Sequence, residues 1–365
     1  MWSECHDPTT GNTESGEELC VGRNPDTFFA VTIDVEADNE WGDTGDPTYW
    51  GIASLPRFQQ LCDGCGIHPT YLVTFDVASH HESAEVLRDL ASDGNCEIGA
   101  HMHPWRTPPF SAHLDSNTSY HPYLYDYSPD LQARKMQTLT HCLEDVFQRP
   151  MTSHRAGRWG IDAYGCDLLE ENGYIVDTSV APLRDHRSQL GHPGGAEGPS
   201  FMAAPAEPYH PSHSDVSARG RRKLFEIPAS TCAVGPGMPW NVGLVRAVGA
   251  LPFAARTGLR FLRRIFCVRV IAFNPARHGL VELQALIECL LAQERSVLNM
   301  AFHSSELIPG ASPAVPTATH AERVWKSLEV VLGRVEASDS IHSCGLTPAA
   351  LTLMKVAGGG RSGAS

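Results

Sequence analysis

The chain has 365 residues, 42% of them hydrophobic and 19% charged, so it holds ample apolar material for a core and wholesale disorder is excluded. Lys plus Arg total 28 against 42 Asp plus Glu, a formal net charge of −14, which disfavours nucleic acid, a partner that needs positive surface. No apolar run reaches the length of about 18 residues that a membrane span needs, and the start (Met1-Trp2-Ser3-Glu4) lacks the basic and apolar regions of a secretory signal, so a cytoplasmic chain is expected.

Residues 1–26 are polar and aperiodic and are expected to be disordered. Short apolar runs then alternate with amphipathic stretches. The pattern predicts a strand over Phe28–Val35, a helix over Pro56–Cys65, a strand over Thr70–Phe75, a helix over Ala84–Asp93 and a strand over Glu97–Ala100. Helices over Pro129–Gln148 and Asp162–Asn172, a strand over Ile175–Thr178, a helix over Leu280–Gln293 and a strand over Val297–Phe302 continue it. Such alternation predicts a mostly parallel sheet wrapped by helices, in one domain over 27–335.

Two stretches interrupt the pattern. Residues 185–223 are dense in His, Pro, Gly and Ser and read as a long insertion before the last strands, lying over a face of the core. The region around 241–277 carries arginines from Arg246 to Arg277 and no Asp or Glu. A helix packed on the barrel with solvated arginines is favoured there over docking on an anionic membrane. The end, 336–365, is expected to be a flexible tail, finishing in a Gly/Ser run. The 11 cysteines, an odd number without a framework pattern, predict free thiols. Cys62 and Cys65 have zinc-knuckle spacing but no second pair to match, so a helix end capped by Gly64 or Gly66 is the simpler reading.

Acidic and imidazole side chains collect where predicted strands end, the side of a β/α barrel on which active sites are built. In Val31-Thr32-Ile33-Asp34-Val35-Glu36, alternation puts Asp34 and Glu36 on one face. Two carboxylates so close repel unless a cation sits beside them. In Glu97-Ile98-Gly99-Ala100-His101-Met102-His103-Pro104, an i, i+2 histidine pair also shares a face and suits paired imidazole ligation. Together these supply a carboxylate and two imidazoles, leaving positions open as a catalytic metal requires. In Ser153-His154-Arg155-Ala156-Gly157-Arg158-Trp159-Gly160, Arg155 is placed to hold a carboxylate ionised. His303, ending Leu298-Asn299-Met300-Ala301-Phe302-His303, is a candidate general acid. Trp41, Trp105 and Trp159 each lie beside a motif, as sugar-stacking faces or as rim packing.

In that order these motifs resemble the polysaccharide deacetylase (NodB-homology) family, and look like its WalW-like branch, over roughly Phe28 to Leu332. The resemblance implies a distorted (β/α)7 barrel and metal-dependent hydrolysis of an N-acetyl or related amide, usually on a sugar. It implies Asp34 as general base, Arg155 as the residue orienting it, and His303 as general acid. Glu36, His101 and His103 are implied as ligands of one divalent metal, zinc first, with cobalt or nickel as alternatives. The family more often separates its two histidines by three residues, whereas here only Met102 lies between them. Asp177 falls near the family's histidine-tuning aspartate. The substrate would be an N-acetylated sugar or glycoconjugate. Two other readings remain open on the sequence: an amidohydrolase on a small non-sugar C–N substrate, and a glycan-binding barrel without turnover.

Overall fold

A computed structural model of the chain describes residues 27–40, 46–111, 121–189, 195–234 and 269–359. The frame is a parallel sheet built from β1 (Thr27–Val35), β2 (Thr70–Val73), β3 (Glu97–Met102), β4 (Ser153–Ala156), β5 (Val176–Asp177), β6 (Phe225–Glu226) and β9 (Val297–His303). These seven strands run in the order β9-β1-β2-β3-β4-β5-β6, every pairing parallel. Helices α1 (Leu55–Gly64), α3 (His81–Ser92), α4 (Pro129–Phe147), α5 (Ala163–Glu171), α6 (Leu280–Leu291) and α7 (Ala318–Glu336) wrap it. A short helix α2 (Phe75–Ser79) precedes α3. The architecture is the distorted (β/α)7 barrel that the motif order implies.

The sequence explains the central strand. β1 reads Thr-Phe-Phe-Ala-Val-Thr-Ile-Asp-Val and is buried at every position, the near-continuous apolar run of a parallel strand covered on both faces. Its β-branched and aromatic residues suit the pleat. The seam between the last and first strands is closed around Ser230, whose N–H donates to the Asn299 carbonyl at 3.0 Å while its Oγ accepts from the Asn299 N–H at 2.8 Å. A second, two-stranded antiparallel ladder, β7 (Thr231–Val234) with β8 (Arg269–Ala272), extends that rim.

Some expectations are corrected. The stretch read as a flexible tail contains β10 (Ile341–Ser343), which pairs in parallel with Thr27–Phe29 of β1, and α8 (Leu346–Gly359). Leu346, Ala349 and Ala350 of α8 are buried against Phe28, Ala30 and Leu72, plugging the end of the barrel opposite the C-terminal strand ends. The thiols are not all free, because Cys232 on β7 and Cys289 on α6 are paired in a disulfide. Cys62 and Cys65 are both free thiols at the end of α1, and Gly66 turns the chain there at φ +63°, as the helix-cap reading expects. Residues 1–26, 235–268 and Trp41 lie outside the described residues, and with them most of the basic segment. No helix among the described residues is long and apolar enough to cross a membrane.

The described part of the 185–223 insertion lacks regular helix and is tied to the barrel. Tyr209 bridges to Glu226 on β6, and the buried Arg222 reaches Asp167 and the Ala163 carbonyl on α5. Its first residues bend back over the C-terminal ends of the strands.

Candidate active site

Six of the predicted residues meet at the C-terminal ends of β1, β3, β4 and β9, all within one cavity of about 380 Å³. Asp34 and Glu36 leave β1 on the same face, and both are buried. His101 and His103 leave β3 with their Nε2 atoms 3.0 Å apart. Glu36 Oε2 lies 3.1 Å from His103 Nε2 and 3.4 Å from His101 Nε2. Two positions make this approach feasible. A Cβ on Gly157 would meet the His103 ring at 2.5 Å, and one on Gly99 would meet the Leu72 side chain at 2.8 Å, so glycine lets β3 and its histidines sit close against neighbouring strands.

Arg155, 1% exposed, is fixed by three acceptors. Its Nη1 donates to Asp34 Oδ1 at 2.5 Å, its Nη2 to Thr32 Oγ1 at 2.5 Å and its Nε to the Thr178 carbonyl at 3.1 Å. Beneath it, Asn299 donates to Thr178 Oγ1 at 2.8 Å and accepts from Thr32 Oγ1 at 3.1 Å. The pair therefore rests on a satisfied polar network inside the barrel. Burial works against the Asp34 carboxylate, but Arg155, then His101 and His303, hold its pKa below the ordinary value. Asp34 is an anion at neutral pH.

The imidazoles are differentiated by their outer partners. His101 Nδ1 donates to the Arg155 carbonyl at 2.9 Å, which turns the Nε2 lone pair inward. Burial lowers its pKa, so it is neutral. For His103 burial acts in the same direction, yet hydrogen bonds and charge from Glu36 and Glu40 win and push it up to about 9. Glu40 Oε2 stands 3.5 Å from His103 Nδ1, accepts from Trp105 Nε1 at 2.8 Å, and Glu40 Oε1 accepts from Arg106 Nη2 at 2.7 Å. Trp105 stacks on His103 with centroids 4.2 Å apart, so this tryptophan clamps a histidine as well as lining the cavity. Trp159 lies with its ring 5.2 Å from the Arg155 guanidinium carbon.

His303, closing β9, places Nε2 3.6 Å from Asp34 Oδ2 and Nδ1 3.1 Å from Glu306 Oε2. Burial opposes its imidazolium, but Glu306 first and Glu36 second raise its pKa to about 9. Glu306 is itself fully buried and accepts from Asn274 Nδ2 at 3.3 Å. Asp177 does not fill that role. It accepts from His154 at 2.7 Å and from Ser179 Oγ at 2.8 Å, one layer below the site.

Glu36, His101 and His103 form the one group of donors among the described residues whose ligand atoms gather within 4.8 Å. Their separations of 3.0–3.4 Å suit a shared ion, since ligands about 2.0 Å from a tetrahedral centre lie about 3.3 Å apart. A carboxylate with two imidazoles is a borderline N2O set, suited to zinc, cobalt or nickel. The shortened His-x-His spacing therefore does not prevent convergence.

Sequence reasoning missed Glu40, Asn274, Arg184 and Arg277. Glu40 lies in the turn after β1, where strand alternation no longer fixes direction. Arg184 and Asn274 lie in stretches without periodicity, where no pattern marks them.

No family model matches the sequence, and no curated protein matches it. Solved structures do. One, provisionally described as a polysaccharide deacetylase from Mycobacterium smegmatis, is 15% identical, with 92% of this chain and 93% of that one covered at a TM-score of 0.54. Another, from Parabacteroides distasonis and provisionally described as a glycoside hydrolase or deacetylase, is 10% identical, with 90% and 71% covered at 0.56. A Puue allantoinase is 12% identical, with 91% of each covered at 0.50. The chain has the fold of these proteins. At such identities the likeness extends to the barrel, and the chemistry rests on the residues themselves.

Proposed function

We propose that the protein is a metal-dependent hydrolase that removes an N-acetyl or related acyl group from an amino sugar or glycoconjugate, and that it belongs with the polysaccharide deacetylases. One observation carries this reading: a three-donor cluster, an arginine-held aspartate and a carboxylate-backed histidinium face one cavity. The described deacetylases of the same fold support it.

Glu36, His101 and His103 would hold a divalent cation, which would supply Lewis acidity toward an acyl carbonyl and a water molecule. Asp34, ionised by Arg155, is the proton acceptor for that water. Its Oδ1 is committed to Arg155, which leaves Oδ2 to receive the proton. His303 is an imidazolium at neutral pH because of Glu306, and its Nε2 proton is available to the departing amine. The assignment of opposite tasks follows from opposite surroundings, a cation beside the carboxylate that accepts the proton and an anion behind the imidazole that donates one.

Cavity size bears on the substrate. About 380 Å³ accommodates a monosaccharide-sized group more readily than a polymer strand, and His186 and Gln189 of the insertion form part of its wall. A soluble or carrier-linked amino sugar therefore fits better than an extended polysaccharide. The likeness in fold to an allantoinase, together with the limited size of this chain's cavity, is the ground for the second reading, hydrolysis of a small non-sugar amide. Acetate release across a panel of N-acetylated mono- and disaccharides and small amides tests both. Release from amino sugars supports the first reading, and release confined to non-sugar amides replaces it with the second.

A further inference from the structure

The cavity wall has a charge imbalance that hydrolysis of a neutral amide does not use. Each carboxylate facing the cavity is committed: Asp34 to Arg155, Glu36 to the two histidines, Glu40 to Arg106 and Trp105. Three more guanidinium groups line the same space, Arg158 from the turn after β4, Arg184 from the loop after β5 and Arg277 from the turn before α6. Arg158 and Arg184 have no carboxylate within 4.0 Å among the described residues, and Arg277 approaches Glu306 Oε1 only at 3.9 Å. The cations also repel. Burial, then Arg277, lowers the pKa of Arg184.

A solvated arginine needs no partner, so exposure alone would explain little. His186 is different. It lines the cavity, is 5% exposed, packs edge-on against Phe201 at 6.4 Å, and neither ring nitrogen makes a close hydrogen bond among the described residues, the Gln189 side chain being the polar group that acts on it. A buried imidazole without a close hydrogen bond, set beside the Arg184 guanidinium, is costly unless a ligand satisfies it. Burial and Arg184 lower its pKa to about 4, so it meets a ligand as a neutral donor. Arg277 is positioned for the same purpose, since Asn274 Oδ1 accepts from the Ala276 and Arg277 N–H groups at 2.8 and 3.0 Å and pins the turn.

We infer that the substrate carries a phosphate or carboxylate, bound by Arg158, Arg184, Arg277 and His186, so that the acylated amino sugar is an anionic one. This rests on the deacylase reading above for the remainder of the substrate. The shared chemistry is an oxyanion that guanidinium forks grip by paired hydrogen bonds.

The test uses the zinc-loaded full chain and calorimetric titration with N-acetylglucosamine, N-acetylglucosamine 6-phosphate and N-acetylmuramic acid, with acetate release followed on the same samples. The expected result is that at least one anionic ligand binds about tenfold or more tighter than the neutral sugar, that added salt narrows the difference, and that Arg184→Gln and Arg158→Gln each reduce it to about twofold or less. The better of the two anions tells phosphate from carboxylate. Equal affinities, no binding of any ligand, or a preference that survives in both variants overturns the inference. Tighter anion binding without acetate release would contradict the deacylase reading and leave the anion subsite standing. Acetate release from the neutral sugar without any preference would do the reverse.

Discussion

Metal binding by this site should be in direct competition with protons, and His103 sets the terms. Without a cation its imidazole titrates at about 9, held up by Glu36 and Glu40 against burial. A metal needs the Nε2 lone pair, while Nδ1 keeps its proton toward Glu40. Below pH 9 one proton must therefore leave for each ion bound. His101 is already neutral and Glu36 already ionised, so neither adds a proton near neutrality. The sign follows: affinity rises with pH, about tenfold per unit, and levels off above about 9. At pH 7 the proton costs about 2.7 kcal/mol of the binding free energy, two units at about 1.36 kcal/mol each. His303, also raised to about 9 and 3.9 Å from Glu36 Oε1, can only steepen the slope by losing its own proton to the incoming charge. Competition against a chelator between about pH 6.5 and about pH 8.5 measures this. A slope of at least about one in log affinity per pH unit is expected. A flat profile would refute the proposed coupling of His103 to Glu36 and Glu40.

Further outcomes follow from the same geometry. Asp34→Asn should lower turnover by about 10² to 10⁴-fold while sparing metal content, because Asp34 Oδ2 stands 3.9 Å from His101 Nε2, outside the donor cluster; parallel assay of rate and bound metal checks both. In Glu306→Gln, His303 loses the largest influence raising its pKa. The alkaline limb of the kcat/KM profile, which reports loss of the acid, should then move down by about one pH unit or more, and an unmoved limb would disqualify His303 as the acid. Lys135 is fully buried on α4 and donates from Nζ to the Pro104 and Thr107 carbonyls at 2.8 and 2.7 Å, fixing the chain just after His103. Lys135→Met leaves those acceptors without this donor and should cost about 2–4 kcal/mol in urea unfolding.

The parts of the fold that were legible in the sequence are those with periodicity. β1, α1, α3, α4 and β9 end within a few residues of their expected bounds because long apolar runs and amphipathic stripes mark them. β4, β5 and β6 are short, two to four residues each. β5 and β6 follow short apolar lead-ins (Tyr174-Ile175 and Leu224), whereas β4 (Ser-His-Arg-Ala) is chosen by its place in the sheet against its composition. α7 is an amphipathic stripe that ordinary helical periodicity marks, whereas β10 spans only three residues and gains its place by pairing with β1. In the site, Asp34, Glu36, His101, His103, Arg155 and His303 were readable because strand ends concentrate function and alternation fixes the face. Glu306 in place of Asp177 was not, since the pairing with His303 depends on how the turn after β9 folds back. Arg184, His186 and Arg277 reach the cavity through loops whose paths no local pattern encodes.

The central claim is that Glu36, His101 and His103 hold one divalent ion beside Asp34 and His303. Elemental analysis of the purified chain, reconstituted with zinc and compared with a His101→Ala/His103→Ala variant of equal thermal stability, tests it without any guess at substrate. The account predicts about one equivalent of metal in the native chain and none retained in the variant. No metal in either protein, after reconstitution with zinc, cobalt or nickel in turn, would contradict it.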